Sequence, residues 1–172
     1  MRFAFEGREP KIDPTAFIAP TAAVIGDVTI GPRSSIWFSA VVRADSSPIV
    51  IGSGTCIQDN AVVHARTTIG DNCTVAHSAI VHGCKVGNGV LVGANAVIFD
   101  GCVVEDGAVV GMGAVLKPNT HVPAGTLMVG VPAKPAGRLT PEKIKEREDP
   151  ENFYVKLVRR YLVSDALRQI EE

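Results

Sequence analysis

The chain has 172 residues, 46% of them hydrophobic and 20% charged, which is the composition of one globular domain. Lys and Arg number 17 against 18 Asp and Glu, so the chain lacks the basic excess with which proteins usually bind nucleic acid or an anionic membrane surface. No apolar run reaches the roughly 18 residues of a membrane helix, and the N-terminus lacks a signal-peptide core. We therefore expect a cytoplasmic protein with no nucleic-acid and no membrane partner.

A six-residue repeat organises the chain from Ile18 to Met128, with an aliphatic residue at one fixed position. A period of six fits neither an α-helix nor one amphipathic sheet face, but it fits short strands, three of which close a triangular coil. The aliphatic residue points inward, and coils stack at the strand spacing of about 4.8 Å. Nineteen repeats predict an all-β prism of about six coils. The inward positions are Ile18, Val24, Ile30, Ile36, Val42, Ile51, Ile57, Val63, Ile69, Val75, Val81, Val86, Val92, Ile98, Val104, Val110, Leu116, Val122 and Met128.

The segments on either side of the repeat have separate predicted roles. We expect residues 1–17 to form an N-terminal cap over the open edge of the first coil, and residues 18–130 to form the repeat itself. Thr140, Pro141 and Glu142 have the pattern of a helix N-terminus, and apolar residues at helical spacing follow. A C-terminal α-helix over 140–170 is therefore predicted to lie along the prism. The alternative, a β-sandwich with coincidental spacing, fits nineteen repeats poorly.

The repeat changes register twice, and such irregularities often mark function. Three extra residues lie between Val42 and Ile51, and one residue is missing between Val81 and Val86, next to His82. The four cysteines have no CxxC spacing, and we expect them to be buried, reduced thiols.

Two histidines share one predicted position of the prism. His64 follows Val63 and His82 follows Val81, so both point outward, and the 18 residues between them are one full coil. Two imidazoles stacked about 4.8 Å apart can converge on one ion at the roughly 2.0–2.1 Å of a Zn–N bond. Solvated surface histidines are the alternative, and His121 is interpreted in that way.

A third histidine, His77, lies on a neighbouring side of the coil, whose outward direction diverges from that of the pair. It is expected to reach the pair of a neighbouring chain when prisms pack in parallel around a threefold axis. This arrangement predicts a homotrimer with a metal site at each subunit interface, and metal loading would then be coupled to assembly.

Charged and polar residues extend the same columns. Arg43 lies one coil below His64 once the insertion is set aside, whereas Asp59 and Gln58 lie on the side of His77. We expect Arg43 to meet Asp59 of the facing chain as an interfacial ion pair, with Asp45 on the other side of its guanidinium. Solvated surface charges are the alternative.

The sequences VVRAD (41–45), IQDNAVVHA (57–65) and AHSAIVHGC (76–84) resemble the γ-class carbonic anhydrases over nearly the whole chain. The resemblance implies a left-handed parallel β-helix with a C-terminal α-helix, assembled as a homotrimer. It also implies Zn²⁺, or Fe²⁺ or Co²⁺, bound by His64 and His82 of one subunit and His77 of the next. Arg43, Asp45 and Asp59 match the family's ion network, and Gln58 matches the residue that hydrogen-bonds the metal-bound solvent.

The implied activity is that of a lyase: reversible hydration of CO₂ to bicarbonate by a metal-bound hydroxide. The sequence departs from the family where a proton-shuttle carboxylate is expected, because Ser46 follows Asp45 and no acidic loop follows His64. A tyrosine of the C-terminal helix, Tyr154 or Tyr161, is a candidate pocket residue. The alternatives left open are a weakly active or non-catalytic metal-bearing assembly subunit, an acyl-CoA-dependent acetyltransferase, and a hydrolase that uses the same hydroxide.

Overall fold

The structure, a computed structural model, describes residues 1–147, 149, 151–163 and 167. These form a left-handed parallel β-helix of about seven turns with short C-terminal helices, and the predicted fold class is confirmed. The strands are β1 Arg2–Phe3, β2 Lys11–Ile12, β3 Phe17–Ile18, β4 Ala23–Ile30, β5 Ser35–Ile36, β6 Val41–Ile51, β7 Cys56–Ile57, β8 Val62–His64, β9 Thr67–Ile69, β10 Thr74–Val75, β11 Ile80–His82, β12 Lys85–Val86, β13 Leu91–Val92, β14 Val97–Ile98, β15 Val103–Val104, β16 Val109–Val110, β17 Val115–Leu116, β18 His121–Val122, β19 Thr126–Gly130 and β20 Ala133–Arg138; the helices are α1 Pro141–Arg147 and α2 Phe153–Leu162.

Three faces make up the prism. Face one contains β3, β5, β7, β10, β13, β16 and β19; face two contains β1, β4, β6, β8, β11, β14 and β17; and face three contains β2, β4, β6, β9, β12, β15 and β18. The long strands β4 and β6 run through two faces, and all pairs except β19–β20 are parallel.

The inward aliphatic column is the core. Eighteen of its nineteen members are buried, and the other, Ile18, is partly buried against the core. Burying one such side chain contributes about 1.5–3 kcal/mol. The core therefore explains why the repeat carries Val and Ile at one position.

Glycine is required where coils approach closely: a Cβ on Gly70 would lie 2.7 Å from the carbonyl carbon of Gly87.

The structure has one more turn than the predicted six coils. The additional strands are β1 and β2, which pair in parallel with β4 and extend faces two and three below the first coil. Their two-residue lengths lack a pattern of their own, so the repeat count could not include them.

The single helix predicted over 140–170 is corrected to two helices. In α1, Ile144 lies over the corner formed by Gly107 and Gly125. Asn152 caps α2 by accepting hydrogen bonds from the N–H groups of Tyr154 and Val155, 3.0 and 3.1 Å. This cap starts a new helix, which is the physical reason for two elements. Helix α2 ends at Leu162, and the predicted helical residues 148, 150, 164–166 and 168–170 lie outside the described residues.

Helix α2 packs on face one with Val155 and Val158 buried. Its Tyr161 contacts the rings of Phe17 and Trp37, with centroids 5.3 and 5.0 Å away. Neither helix in the described part of the chain has the length and apolar character that crossing a bilayer requires.

Candidate functional site

Arg43, His64 and His82 form one outward column on face two. Parallel pairing aligns Arg43 of β6 with His64 of β8, and His64 with His82 of β11. The two imidazole centroids lie 5.0 Å apart, and both side chains are about a quarter exposed. His64 and His82 are 18 residues apart in the sequence but lie side by side, because each coil adds one strand to the face.

The His82 ring is held by two consecutive residues of the next coil. Its Nδ1 lies 2.6 Å from Oδ1 of Asp100, and its ring stacks on Phe99 with centroids 4.6 Å apart and an interplanar angle of 8°. Among the described residues, Nε2 of His82 has no hydrogen-bond partner, whereas Nδ1 faces Asp100.

The His64 ring contacts the inserted segment of β6. Its Nε2 lies 3.1 Å from Oδ1 of Asp45, whose other oxygen forms an ion pair with Arg43. The hydrogen bond with His64 lowers the pKa of the Asp45 carboxyl, and the positive charge of Arg43 lowers it further. The insertion thus places Asp45 between the Arg43 and His64 side chains.

His77 lies elsewhere, beyond β10 on face one. Its Nδ1 is 3.0 Å from Oδ2 of Asp59, and its side chain is 58% exposed. Asp59 contacts His77 of its own chain here, whereas the sequence predicts that it meets Arg43 of a facing chain. Among the described residues, no three His, Cys, Asp or Glu side chains lie close enough to hold one metal ion. One chain therefore offers two imidazoles on face two and a third on a different face.

Gln58 is 3% exposed and links His77 to the C-terminal helix. Its Oε1 accepts a hydrogen bond from the His77 backbone N–H, 3.2 Å, and its Nε2 donates to the Tyr154 hydroxyl. Burial raises the pKa of Tyr154, and the neighbouring Asp59 charge contributes. Of the two candidate tyrosines, Tyr154 reaches the site, whereas Tyr161 packs among aromatic rings.

Sequence reasoning missed Phe99 and Asp100. The one available signal was the residue missing near His82, because it shifts the following coil relative to the histidine. His121 lies on face three with its Nε2 2.7 Å from Glu105, apart from the other histidines. A cavity of about 590 Å³ between face one and the helices reaches Tyr154 but none of the histidines.

The four cysteines are free and buried. Burial raises the pKa of Cys56, Cys73 and Cys84 to about 12. These thiols are therefore protonated at neutral pH and are poor metal ligands or nucleophiles.

Two models of hexapeptide-repeat families match the chain: "Bacterial transferase hexapeptide (six repeats)" over residues 48–83 and "Hexapeptide repeat of succinyl-transferase" over residues 82–118. The chain is 42% identical to the "Probable carbonic anhydrase" of Methanocaldococcus jannaschii, over 81% of this chain and 91% of that protein. It is 43% identical to "Gamma carbonic anhydrase 2, mitochondrial" of Arabidopsis thaliana, over 95% of this chain. The chain spans 63% of the length of this plant relative.

Among solved structures, the chain is similar to a hexapeptide transferase family protein from Anaplasma phagocytophilum. The two are 40% identical, with a TM-score of 0.91 over 94% of this chain and 98% of that chain.

Proposed function

Since the chain belongs to the γ-class carbonic anhydrase family of hexapeptide-repeat proteins, we propose that it catalyses the reversible hydration of CO₂ to bicarbonate. The observation that carries this proposal is the His64–His82 pair with centroids 5.0 Å apart, together with His77 on another face. The names of the plant and archaeal relatives support the same reaction.

The site is proposed to be completed between subunits of a homotrimer. His64 and His82 of one subunit and His77 of the next would hold the ion, Zn²⁺ or alternatively Fe²⁺ or Co²⁺. The chemistry of the donor set fits, because three imidazoles with an open position are a known ligand set of catalytic zinc. His77 and His82 each face a carboxylate at Nδ1, which would leave Nε2 to bind the ion, as is usual for a ligating histidine.

The ion would supply Lewis acidity that makes water a nucleophile near neutral pH. The chain's own residues would position the reactants. Gln58 is proposed to orient the attacking solvent, since its amide is already fixed by the His77 backbone and the Tyr154 hydroxyl. Arg43, Asp45 and Asp59 are proposed to set the register of the two subunits, because buried ion pairs between facing surfaces disfavour other registers.

Two alternatives rest on specific observations. The absence of a carboxylate at Ser46 and of an acidic loop after His64 favours a slow enzyme or a non-catalytic metal-bearing assembly subunit. The Anaplasma neighbour is a hexapeptide transferase family protein, and this similarity favours a transferase, for which the acyl-CoA-dependent acetyltransferase is the candidate. A cytoplasmic location stays a prediction, and the plant relative's name contains "mitochondrial".

Stopped-flow CO₂ hydration tests the proposal. Protein loaded anaerobically with Fe²⁺ and, separately, with Zn²⁺ is compared with His82→Ala and with His121→Ala as the matched control. We expect metal-dependent hydration that His82→Ala abolishes and His121→Ala retains. A trimeric, metal-loaded protein with no rate above buffer would contradict the proposal and favour the assembly subunit. Stabilisation by acetyl-CoA in a melting assay, without bound metal, would favour the acyltransferase.

A further inference from the structure

The second register change shortens the coil side that begins at His82 by one residue. The coil side from Phe99 to Val104 is one residue longer than the side below it, from His82 to Val86. Strand pairing aligns the two ends of these sides, and the Gly101 N–H donates to the Gly83 carbonyl, 2.9 Å. The extra residue of the upper side therefore lies between Asp100 and Cys102, and the Asp100 carboxylate reaches back to Nδ1 of His82.

Gly83 makes room for this carboxylate. Gly83 has a φ of 59°, but Ala65 at the corresponding corner of the previous coil has a φ of 58°. The backbone conformation alone therefore does not demand glycine. A Cβ on Gly83 would instead collide with Oδ1 of Asp100. Gly83 and Asp100 are therefore sterically complementary, because the absence of a side chain at Gly83 leaves the space that the Asp100 carboxylate occupies.

Phe99 restrains the His82 ring by stacking on one of its faces. The centroids of the Phe99 and His82 rings lie 4.6 Å apart, and the ring planes differ by 8°. The His64 ring, on the coil below, has its centroid 5.0 Å from that of His82, with an interplanar angle of 61°. A ring that is held at one nitrogen and covered on one face has little rotational freedom. The direction of its other nitrogen is therefore fixed.

We propose that Asp100 is a positioning residue that, with Phe99, selects the tautomer and orientation of His82. An ionised carboxylate only accepts hydrogen bonds, so Nδ1 carries the proton and Nε2 keeps its lone pair. This inference rests on the proposed function, in which Nε2 of His82 binds the metal ion. It adds that ligand geometry at His82 is set by the coil above it and not by the ion.

The first test compares Asp100→Asn and Asp100→Ala with Glu105→Gln, which removes the carboxylate 2.7 Å from Nε2 of His121. Long-range ¹⁵N–¹H NMR of histidine-labelled, metal-free protein is expected to show the Nδ1–H tautomer of His82 in the parent protein. Both Asp100 variants are expected to lose this preference, whereas Glu105→Gln is expected to alter His121 alone. The Zn²⁺ affinity, measured by competition with a chromophoric chelator, is expected to fall about 10- to 100-fold in the Asp100 variants only.

A second pair of variants leaves the carboxylate in place. Gly83→Ala would displace Asp100, and Gly101→Ala would create the same collision with Oδ1 of Asn119, also at a positive φ. Any general cost of alanine at such a corner is shared by both variants. We expect Gly83→Ala alone to change the His82 tautomer and to weaken Zn²⁺ binding.

An unchanged His82 tautomer and an unchanged Zn²⁺ affinity in folded Asp100 variants would overturn the inference, even if the protein hydrates CO₂. Conversely, the tautomer of the metal-free protein does not depend on activity. A protein that shows the predicted tautomer changes but no CO₂ hydration would support the inference and contradict the proposed function.

Discussion

Each of the four histidines contacts a carboxylate of an adjacent coil, but the nitrogen in contact differs. The carboxylate lies at Nδ1 of His77 and His82, and at Nε2 of His64 and His121. An ion that binds Nε2 of His64 would therefore have to displace Asp45. The carboxylate partners are Asp45 for His64, Asp59 for His77, Asp100 for His82 and Glu105 for His121.

Tyr154→Phe is predicted to weaken both stability and activity. The substitution leaves the buried Nε2 of Gln58 without the hydroxyl that accepts its hydrogen bond. An unsatisfied buried donor costs about 1–3 kcal/mol, so the free energy of unfolding in urea should fall by that amount. The kcat/KM for CO₂ hydration should also fall, because Gln58 loses one of its two anchors.

Tyr161→Phe is the matched control, since it keeps the ring that packs on Trp37. It should leave kcat/KM unchanged. Equal losses in the two variants would contradict the role assigned to the Tyr154 hydroxyl.

Glu105 is predicted to stabilise the fold in a pH-dependent manner. The Ala124 backbone N–H and then the His121 side chain lower the pKa of Glu105 below its ordinary value of 4.5. A carboxyl whose pKa is lower in the folded state stabilises the fold above its unfolded pKa, and this contribution is lost as pH falls through the folded pKa. The Tm of Glu105→Gln should thus lie below that of the parent protein at pH 7 and approach it below about pH 4. A Tm difference that grows in acid would contradict this assignment.

At the scale of residues, sequence spacing located the histidine column because parallel pairing converts one coil into one strand spacing. The Gln58–Tyr154 contact spans 96 residues and depends on where the C-terminal helix returns, which no local pattern encodes. Asp100 was detectable only through the shortened side next to His82.

Among the described elements, α2 packs the C-terminal segment against the first coils of the prism. Asn152 holds the helix start by accepting two backbone hydrogen bonds and by donating to the Gly54 carbonyl, 3.3 Å. The ring of Tyr161 packs against Phe17 and Trp37 of the first coils. The position of Tyr154 therefore depends on the aromatic cluster as well as on its own hydrogen bond.

Trp37→Ala is predicted to loosen α2 from the prism. Trp37 is 5% exposed, and truncating a buried Trp costs about 3–5 kcal/mol. The free energy of unfolding in urea should fall by that amount. Relative to the parent protein, hydrogen exchange should accelerate more at the α2 amides than at those of β11. Phe153→Ala is the control, because Phe153 is 68% exposed on the same helix and should change stability by less than about 0.5 kcal/mol. Unchanged α2 exchange in Trp37→Ala would contradict the proposed docking.

At this scale the repeat was predictable because one buried column fixes every strand, whereas β1 and β2 form only through pairing with β4. The division of the C-terminal segment into α1 and α2 depends on the Asn152 cap. The apolar spacing continued through it, so periodicity alone predicted one helix.

The whole molecule presents its candidate ligands in two directions. His64 and His82 project from face two and His77 from the edge of face one, so the three ligands of the proposed site point in two directions from one chain. Head-to-tail contacts that close around a threefold axis would join each half to its complement. Three subunits are therefore proposed to share three sites.

Mixed trimers of His82→Ala and His77→Ala subunits distinguish a site shared between subunits from one held within a single subunit. Each variant alone should be inactive and should not bind stoichiometric metal, because every interface lacks one ligand. In a closed ring, each mixed trimer contains one interface with all three histidines, so equal mixing after refolding should restore about a quarter of the parent rate and metal content. Trimers that remain inactive and metal-free, although mass spectrometry shows that both variants are present in them, would contradict a site shared between subunits.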